Sequence, residues 1–473
     1  MNPNLPLAVD LDGTLTRTDT LLEGVLKLIK QKPYAIFLLL WWLSQGKAIL
    51  KKEVAAQAMV DVALLPYTSD FLIWLKQEKQ RGRELMLITA SDQRVATKVA
   101  DHFGIFTKAY GSDGKQNLSG RKKATLLTKL FGTKQFAYAG NSMTDLPVWQ
   151  AAGEAIVVNA SKRTTRAAKK LGGFSQEFPR QTITWPNIRR ALRIHQWLKN
   201  LLLLIPLLTA HQITNSQAVI QVIFGFLSFS FIASAIYVCN DLFDVESDRQ
   251  HPTKRQRPFA AGTLHPLIGI LGIPVLIAIS ILLAFALPTK FLLILGVYAA
   301  VNLAYTFYLK QVALLDVVVL ACLYTLRILA GSTATSIVTS SWLFAFAMFM
   351  FLSLALIKRV AELINLKQRN KEKAHGRGYT SQDVQPLSML GISSGYLSLL
   401  VLALYISSES VRLLYHHPQW LWLLIPLVMV WISRIWLLTS RGEMNEDPIL
   451  FAAKDSLSYG ILIASVAVII IAT

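Results

Sequence analysis

Polar and apolar positions divide this chain unevenly. Up to about residue 185 charged and apolar residues are mixed, as in a soluble domain, with short apolar runs at 7–11, 84–88 and 136–139 that read as strands. Beyond that point come long apolar runs such as 201–208, 291–300 and 343–357. Each sits in a stretch of about 20 residues nearly free of charge, the length a helix needs to cross a bilayer. Nine spans are predicted, near 198–212, 217–239, 265–286, 289–308, 312–331, 340–358, 387–407, 418–437 and 453–472. The expected organisation is an α/β, Rossmann-like domain with a small helical cap at 1–160, a basic polar linker at 161–190, and an all-α polytopic membrane domain at 191–473. One apolar run, 35–43, falls in the soluble part and is too short to span. It reads as a buried helix of the cap or as a surface resting on the membrane, with Trp41 and Trp42 at the interface.

Composition and charge agree with this division. Hydrophobic residues make up 53% and charged residues 16% of the 473, against about 25% charged in a soluble average. If the N-terminal domain is cytoplasmic, the inside loops hold Arg249, Lys254, Arg255, Arg257, Lys310, Lys358, Arg359, Lys367, Arg369, Lys371, Lys373, Arg377, Arg434, Arg441 and Lys454. The outside loops hold Lys290 and Arg412. The positive-inside rule demands such an asymmetry, and it puts the C-terminus outside a bacterial-type inner or cell membrane. The formal charge of +20 is then explained by loops facing anionic lipid. Nucleic-acid binding is not expected, because no basic stretch carries interleaved aromatics. The two cysteines, Cys239 and Cys322, fall inside apolar spans and make no disulfide framework or zinc site. Residues 1–10 run into an acidic motif rather than a signal peptide.

The candidate chemistry lies first in the loop after the second span, Asn240-Asp241-Leu242-Phe243-Asp244-Val245-Glu246-Ser247-Asp248. Asp241, Asp244 and Asp248 are three and four residues apart, which on a helix places all three carboxylates on one face. Three like charges there repel unless a cation sits among them. Hard oxygen ligands suit Mg2+, which commonly also binds substrate phosphates. The following His251-Pro252-Thr253-Lys254-Arg255-Gln256-Arg257-Pro258 supplies cations for a polyphosphate. This loop, with Gly262 behind it, resembles the first signature of the UbiA-type intramembrane prenyltransferases. The resemblance covers about residues 191–473. It implies nine helices around a cavity, with Mg2+ and a substrate diphosphate held by Asp241, Asp244 and Asp248 and contacted by Asn240, Lys254 and Arg257.

The family's second acidic signature is altered here to Lys358-Arg359-Val360-Ala361-Glu362. One carboxylate and two cations at that place suit a substrate with its own negative charge. The segments 195–200 and 305–310, Arg327 with Gly331, and Arg377-Gly378-Tyr379 resemble the branch of polyprenyl-phosphate phosphoribosyltransferases. That resemblance implies phosphoribosyl pyrophosphate as donor and a polyprenyl phosphate as acceptor. A phosphate acceptor is already an anion and needs no general base. It needs cations, and Lys199, Lys310, Arg327, Lys358 and Arg359 are the candidates. Arg327 interrupts an apolar span, where a charge commonly faces a cavity; a structural pair with Asp316 is its other reading.

Near the N-terminus, Asp10-Leu11-Asp12-Gly13-Thr14-Leu15-Thr16 resembles the first motif of haloacid-dehalogenase-type phosphohydrolases. The resemblance implies Asp10 as nucleophile, Asp12 as general acid and base, Thr89 and Lys123 holding the phosphoryl group, and Asp10, Asp12, Asn141 and Asp145 around Mg2+. Lys122 competes with Lys123, and Asn141 stands where an Asp is usual. The domain is expected to act as a phosphatase or as a regulatory domain. For the whole chain the leading expectation is phosphoribosyl transfer to a lipid phosphate, with dephosphorylation of the product. Prenyl transfer to a small acceptor is the alternative, and a transporter with a soluble regulatory domain is the alternative of another class. The substrates and membrane are the partners expected; oligomeric state is not indicated.

Overall fold

The computed structural model describes residues 5–368, 378–444, 448–452 and 454–473. Four loop cations singled out above, Arg369, Lys371, Lys373 and Arg377, lie outside the described residues, as does the side chain of Arg412. The chain separates into two compact units. One joins Met1–Arg193 with Tyr237–Val275; the other joins Ile194–Ile236 with Leu276–Thr473.

The first unit holds a six-stranded sheet, β1 Leu7–Val9, β2 Leu85–Asp92, β3 Lys108–Ser112, β4 Ala137–Gly140, β5 Glu154–Val158 and β6 Phe174–Phe178. The order is β3-β2-β1-β4-β5-β6 and every pairing is parallel. A parallel sheet is covered on both faces, so its central strands are apolar throughout rather than alternating. β1 is Leu-Ala-Val with all three residues buried. Leu7 and Val9 face one core with Val95 and Val99, and Ala8 faces the other with Ile88 and Trp149. The order reverses between β1 and β4, and the crevice at such a switch point is where α/β sheets place ligands. The sequence put a linker at 161–190, yet that segment contains a helix, Lys162–Lys170, and β6. The strand escaped notice because Phe-Ser-Gln-Glu-Phe has too few apolar positions to stand out.

Three helices follow β1: α1 Thr20–Gln31, α2 Ala35–Gln45 and α3 Lys47–Gln57. Asp19 caps α1, its carboxylate accepting from Leu22 N–H at 3.0 Å. Gly46, at φ +122°, makes the abrupt turn from α2 to α3 that a side chain would strain. Leu28, Ala35, Leu39, Trp42, Leu50 and Val54 form their common core. The run 35–43 is therefore apolar on two sides and buried on one.

Among the described residues seven helices are long and apolar enough to cross a membrane: Ser216–Phe243, Pro266–Ala284, Thr289–Phe307, Leu315–Thr335, Ser341–Gln368, Ser381–Ser407 and Pro418–Ser440. The ninth expected span is the shorter helix Ser456–Ala472. The first is a 3-10 stretch, Ile194–Leu204, followed by the short helix Ile205–Thr209. Pro206 lacks the N–H that a continuous helix needs. In the second unit this broken segment packs tightly on Leu315–Thr335: a Cβ on Gly331 would lie 2.0 Å from the Leu203 carbonyl oxygen. Small residues permit such backbone approach between membrane helices.

Candidate active sites

Asp10 and Asp12 follow β1 at the switch point. Asp10 accepts from its neighbour Leu11 N–H at 2.9 Å and pairs with Lys123 Nζ at 3.0 Å. Lys123 is buried and Lys122 is exposed, which decides between the two lysines. Lys123 also donates to the Tyr138 hydroxyl, which donates to Asp145 Oδ1, each at 2.8 Å. The N–H groups of Asn141 and Ser142 fix the other Asp145 oxygen. Asp12 accepts from Thr20 N–H at 2.8 Å and from the Ser91 hydroxyl. Thr89 is fully buried on β2, its hydroxyl accepting from Ser91 N–H at 3.0 Å. Asn141 lies against Gly13, which holds φ +74° and has no room for a Cβ: one would sit 1.9 Å from Asn141 Nδ2. All six sequence candidates thus surround one crevice.

Burial pushes the Asp10 carboxyl up to about 7 against the pull of Lys123, with Asp145 adding to the rise. Burial likewise raises Asp12 to about 6, helped by Asp19. Crowded carboxylates that hold their protons this way fit a divalent cation, whose charge would relieve both effects. A carboxyl raised toward neutrality can give and take a proton there, as acid–base chemistry requires. Lys51 of α3, missed in the sequence, bonds the Ala90 carbonyl and Asn117. Burial lowers its pKa, while Asp12, Asp19 and Asp10 pull it back up.

The aspartate-rich loop belongs to the same unit. Helix Ser216–Phe243 ends just before Asp244, and a short helix, Val245–Gln250, follows it. Helical bonds bridge the break, from Asp244 N–H to the Asn240 carbonyl and from Asp248 N–H to the Asp244 carbonyl. The three carboxylates meet different cations, and both Asp241 and Asp244 act on Asp248 by like-charge repulsion. Arg257 Nη1 stands between Asp241 Oδ1 at 3.0 Å and Asp248 Oδ2 at 2.7 Å. Asp244 meets Lys30 Nζ of α1 at 2.6 Å. Arg193 also pairs with Asp241. Glu246 takes Lys27 Nζ at 2.8 Å. Arg249 forms a buried bidentate pair with Glu23, with contacts of 2.8 and 2.6 Å. Lys27, Lys30 and Glu23 were not found by sequence reasoning. Their spacing along α1, at i, i+4 and i+7, marks one helix face and was the available signal.

Among the described residues no three His, Cys, Asp or Glu side chains lie close enough to hold a metal. The loop's donor set nonetheless fits one. A single cationic nitrogen already bridges Asp241 and Asp248, and Asp241 Oδ2 is buried without a hydrogen-bond partner. Burial raises the Asp248 carboxyl against Arg257, a strain that a second positive charge would lift. Asn240 and Lys254 are half-buried on the same loop.

The second unit has its own buried cations. Arg327 Nε donates to Asn200 Oδ1 at 3.0 Å and Nη2 to the Tyr298 hydroxyl at 3.1 Å. Its guanidinium lies 5.1 Å from the Tyr298 ring and 5.3 Å from Tyr324. The Lys199 ammonium is 5.9 Å from the same Tyr324 ring, so both cations meet there. Arg327 therefore does not pair with Asp316. That partner belongs to Arg359, at 3.0 Å, with Tyr379 donating to the same carboxylate. Arg359 also engages Glu362. Lys358 is half-buried beside it, and Lys310 is half-buried on the 3-10 turn Leu309–Gln311.

Residues 202–458 match the UbiA prenyltransferase family. The chain is 39% identical over 469 residues to the uncharacterised protein y4nM of Sinorhizobium fredii, covering 98% of this chain and 90% of that protein. The likeness therefore runs through both the N-terminal and the helical regions. A decaprenyl-phosphate phosphoribosyltransferase of Corynebacterium glutamicum is 43% identical over 180 residues, covering 37% of this chain and 54% of that protein. A solved UbiA homologue from Archaeoglobus fulgidus, bound to GPP and Mg2+, is 18% identical with a TM-score of 0.48, covering 60% of this chain and 99% of that one. The family match sets aside the transporter reading. It spans more than half the sequence, and it identifies the chain as a member of the UbiA prenyltransferase family, an integral membrane transferase.

Proposed function

We propose that the membrane region transfers a phosphoribosyl group from phosphoribosyl pyrophosphate to a polyprenyl phosphate, and that the N-terminal site then hydrolyses the product's 5-phosphate. One observation carries the choice of acceptor. Where a second acidic motif would serve a second metal, the chain has Lys358, Arg359 and a single carboxylate, Glu362, which Arg359 already engages. Glu362 and Asp316 both engage Arg359, and an acceptor that is itself an anion suits such a place better than a second metal does. The named activity of the Corynebacterium relative supports the same reading.

In this scheme a lipid phosphate oxygen attacks the anomeric carbon of the ribose, and the bond from that carbon to the diphosphate breaks. Mg2+ held by Asp241, Asp244 and Asp248 would neutralise the departing diphosphate. Arg257 and Lys254 bind its oxygens, Asn240 orients it, and Lys27 and Lys30 of α1 add charge at the rim. Lys199, Arg327, Lys310, Lys358 and Arg359 attract and position the lipid phosphate. At the N-terminal site Asp10 attacks phosphorus while Asp12 donates its proton to the leaving sugar oxygen. Asp12 then takes a proton from the water that releases phosphate. Thr89 and Lys123 hold the phosphoryl oxygens, and Asp145 and Asn141 complete the oxygen donors for Mg2+. The loop charges support nine spans with both sites on the cytoplasmic side and the C-terminus outside.

Prenyl transfer from an isoprenoid diphosphate to a small acceptor is the second reading, favoured by the family match itself. Both are tested by mass analysis of lipid products from the full-length protein with Mg2+. One arm contains phosphoribosyl pyrophosphate and polyprenyl phosphate; the other contains isoprenoid diphosphates and small aromatic acceptors. The proposal expects a polyprenyl-phosphate pentose without its 5-phosphate in the first arm, and the phosphorylated pentose from Asp10→Asn. Product in the second arm alone would replace the acceptor assignment. The same phosphate on both products would remove the coupled hydrolysis.

A further inference from the structure

The α2 helix has an apolar side with nothing of its own unit upon it. From Tyr34 to Gln45 there is no charged residue. Its inner side, Ala35, Leu39 and Trp42, is buried against α1 and α3. Its outer side exposes Tyr34, Ile36, Phe37, Leu40, Trp41 and Leu43, with Phe37 73% and Leu40 63% accessible. Elsewhere on residues 5–160 exposed large apolar side chains, such as Ile73 and Leu130, stand singly. Isolated ones are ordinary on a soluble surface, whereas a contiguous patch marks a partner.

The chain itself indicates the partner. Lys30, in the last turn of α1, holds Asp244 at 2.6 Å, and Asp244 directly follows Phe243, the end of a membrane-crossing helix. The buried Arg249–Glu23 pair and the Lys27–Glu246 pair fasten the same α1 to the same loop. α2 begins four residues after α1 ends, so it starts where that loop leaves the bilayer. Exposed Lys32 precedes the apolar stretch, and exposed Lys47 and Lys52 follow it, where anionic headgroups would receive them. Tyr34 and Trp41 are residue types that favour the headgroup level.

We infer that α2 is an interfacial helix that seats Phe37, Leu40 and Trp41 in the cytoplasmic leaflet of an anionic bilayer, anchoring the N-terminal domain to the membrane beside the aspartate-rich loop. This rests on the membrane spans and on the orientation proposed from the loop charges, not on the choice of substrates. The patch lies flat in the interface rather than spanning it, because eleven residues cover only about 16 Å of helix.

The test uses the full-length protein with Cys239 and Cys322 replaced by Ser, in vesicles of phosphatidylcholine and phosphatidylglycerol. A fluorophore is placed at Leu40→Cys, or at Phe37→Cys as an independent second site, and at exposed Asp101→Cys as reference. Brominated acyl chains quench only what enters the leaflet. The inference expects the labels at 37 and 40 to lose at least about half their emission while the label at 101 is unchanged. Equal emission at 40 and 101 in brominated vesicles would overturn it. So would an oxidative cross-link between two copies through Leu40→Cys, which would assign the face to a second chain.

Discussion

Two groups of carboxylates in one unit handle their charge in opposite ways. Asp10 and Asp145 gather round one buried cation, Lys123, with Asp12 alongside, at the ends of strands whose register is fixed. Asp241, Asp244, Glu246 and Asp248 stand astride a break between two helices, answered by cations from several places: Arg193, Arg257, Lys27 and Lys30. The first arrangement is assembled before any ligand arrives. The second is held by counter-ions, one of which, Arg257, bridges Asp241 and Asp248. The lesson is that a motif on a strand end predicts geometry, while a motif astride a helix break predicts chemistry.

Breaking the assembled group should have the largest effect. Asp10→Asn removes the proposed nucleophile and should lower the proposed phosphatase turnover by about 10³-fold or more, with lipid transfer retained. Phosphate release at the wild-type rate would show that Asp10 does not attack. Separating the loop from its support comes next. Arg249→Ala strands Glu23 in a pair that is 7% and 8% exposed, which costs about 3–5 kcal/mol. Thermal unfolding of the full chain in detergent should register that loss in the N-terminal unit, and an unchanged midpoint would mean that the pair carries no such load. The smallest effect is expected from Lys30→Ala. Lys30 is 40% exposed, so the pair contributes no more than about 1 kcal/mol to stability. Freeing Asp244 from it should lower the Mg2+ needed for half-maximal transfer by up to about fivefold. A higher requirement would instead make Lys30 a helper of the metal rather than its rival.

The sequence made the N-terminal site legible because Asp10, Thr89, Lys123 and Asp145 occur in order after recognisable apolar strands. Burial alone then chose Lys123 over Lys122. The aspartate-rich loop was legible as a metal and diphosphate motif, but its partners were not. Lys27 and Lys30 come from 219 and 214 residues away, a separation no local pattern spans. Arg327 was noticed as a charge within an apolar run. Its partner was not foreseen, since Asn200 sits in a segment whose helix Pro206 interrupts. Asp316 went to Arg359 instead, which a one-dimensional reading of two nearby charges could not decide. The α2 run was ambiguous because periodicity gives amphipathic faces only where polar residues mark the outside, and here none does.

The central claim is that the aspartate-rich loop, not the N-terminal cluster, carries group transfer. Asp241→Ala in the full-length protein tests it most directly, with lipid products and phosphate release measured on the same preparation. The account predicts loss of lipid transfer by about 10³-fold, the equivalent of roughly 4 kcal/mol of lost transition-state stabilisation, with phosphate release from a small phosphomonoester unchanged. Lipid transfer at the wild-type rate in that variant would contradict it.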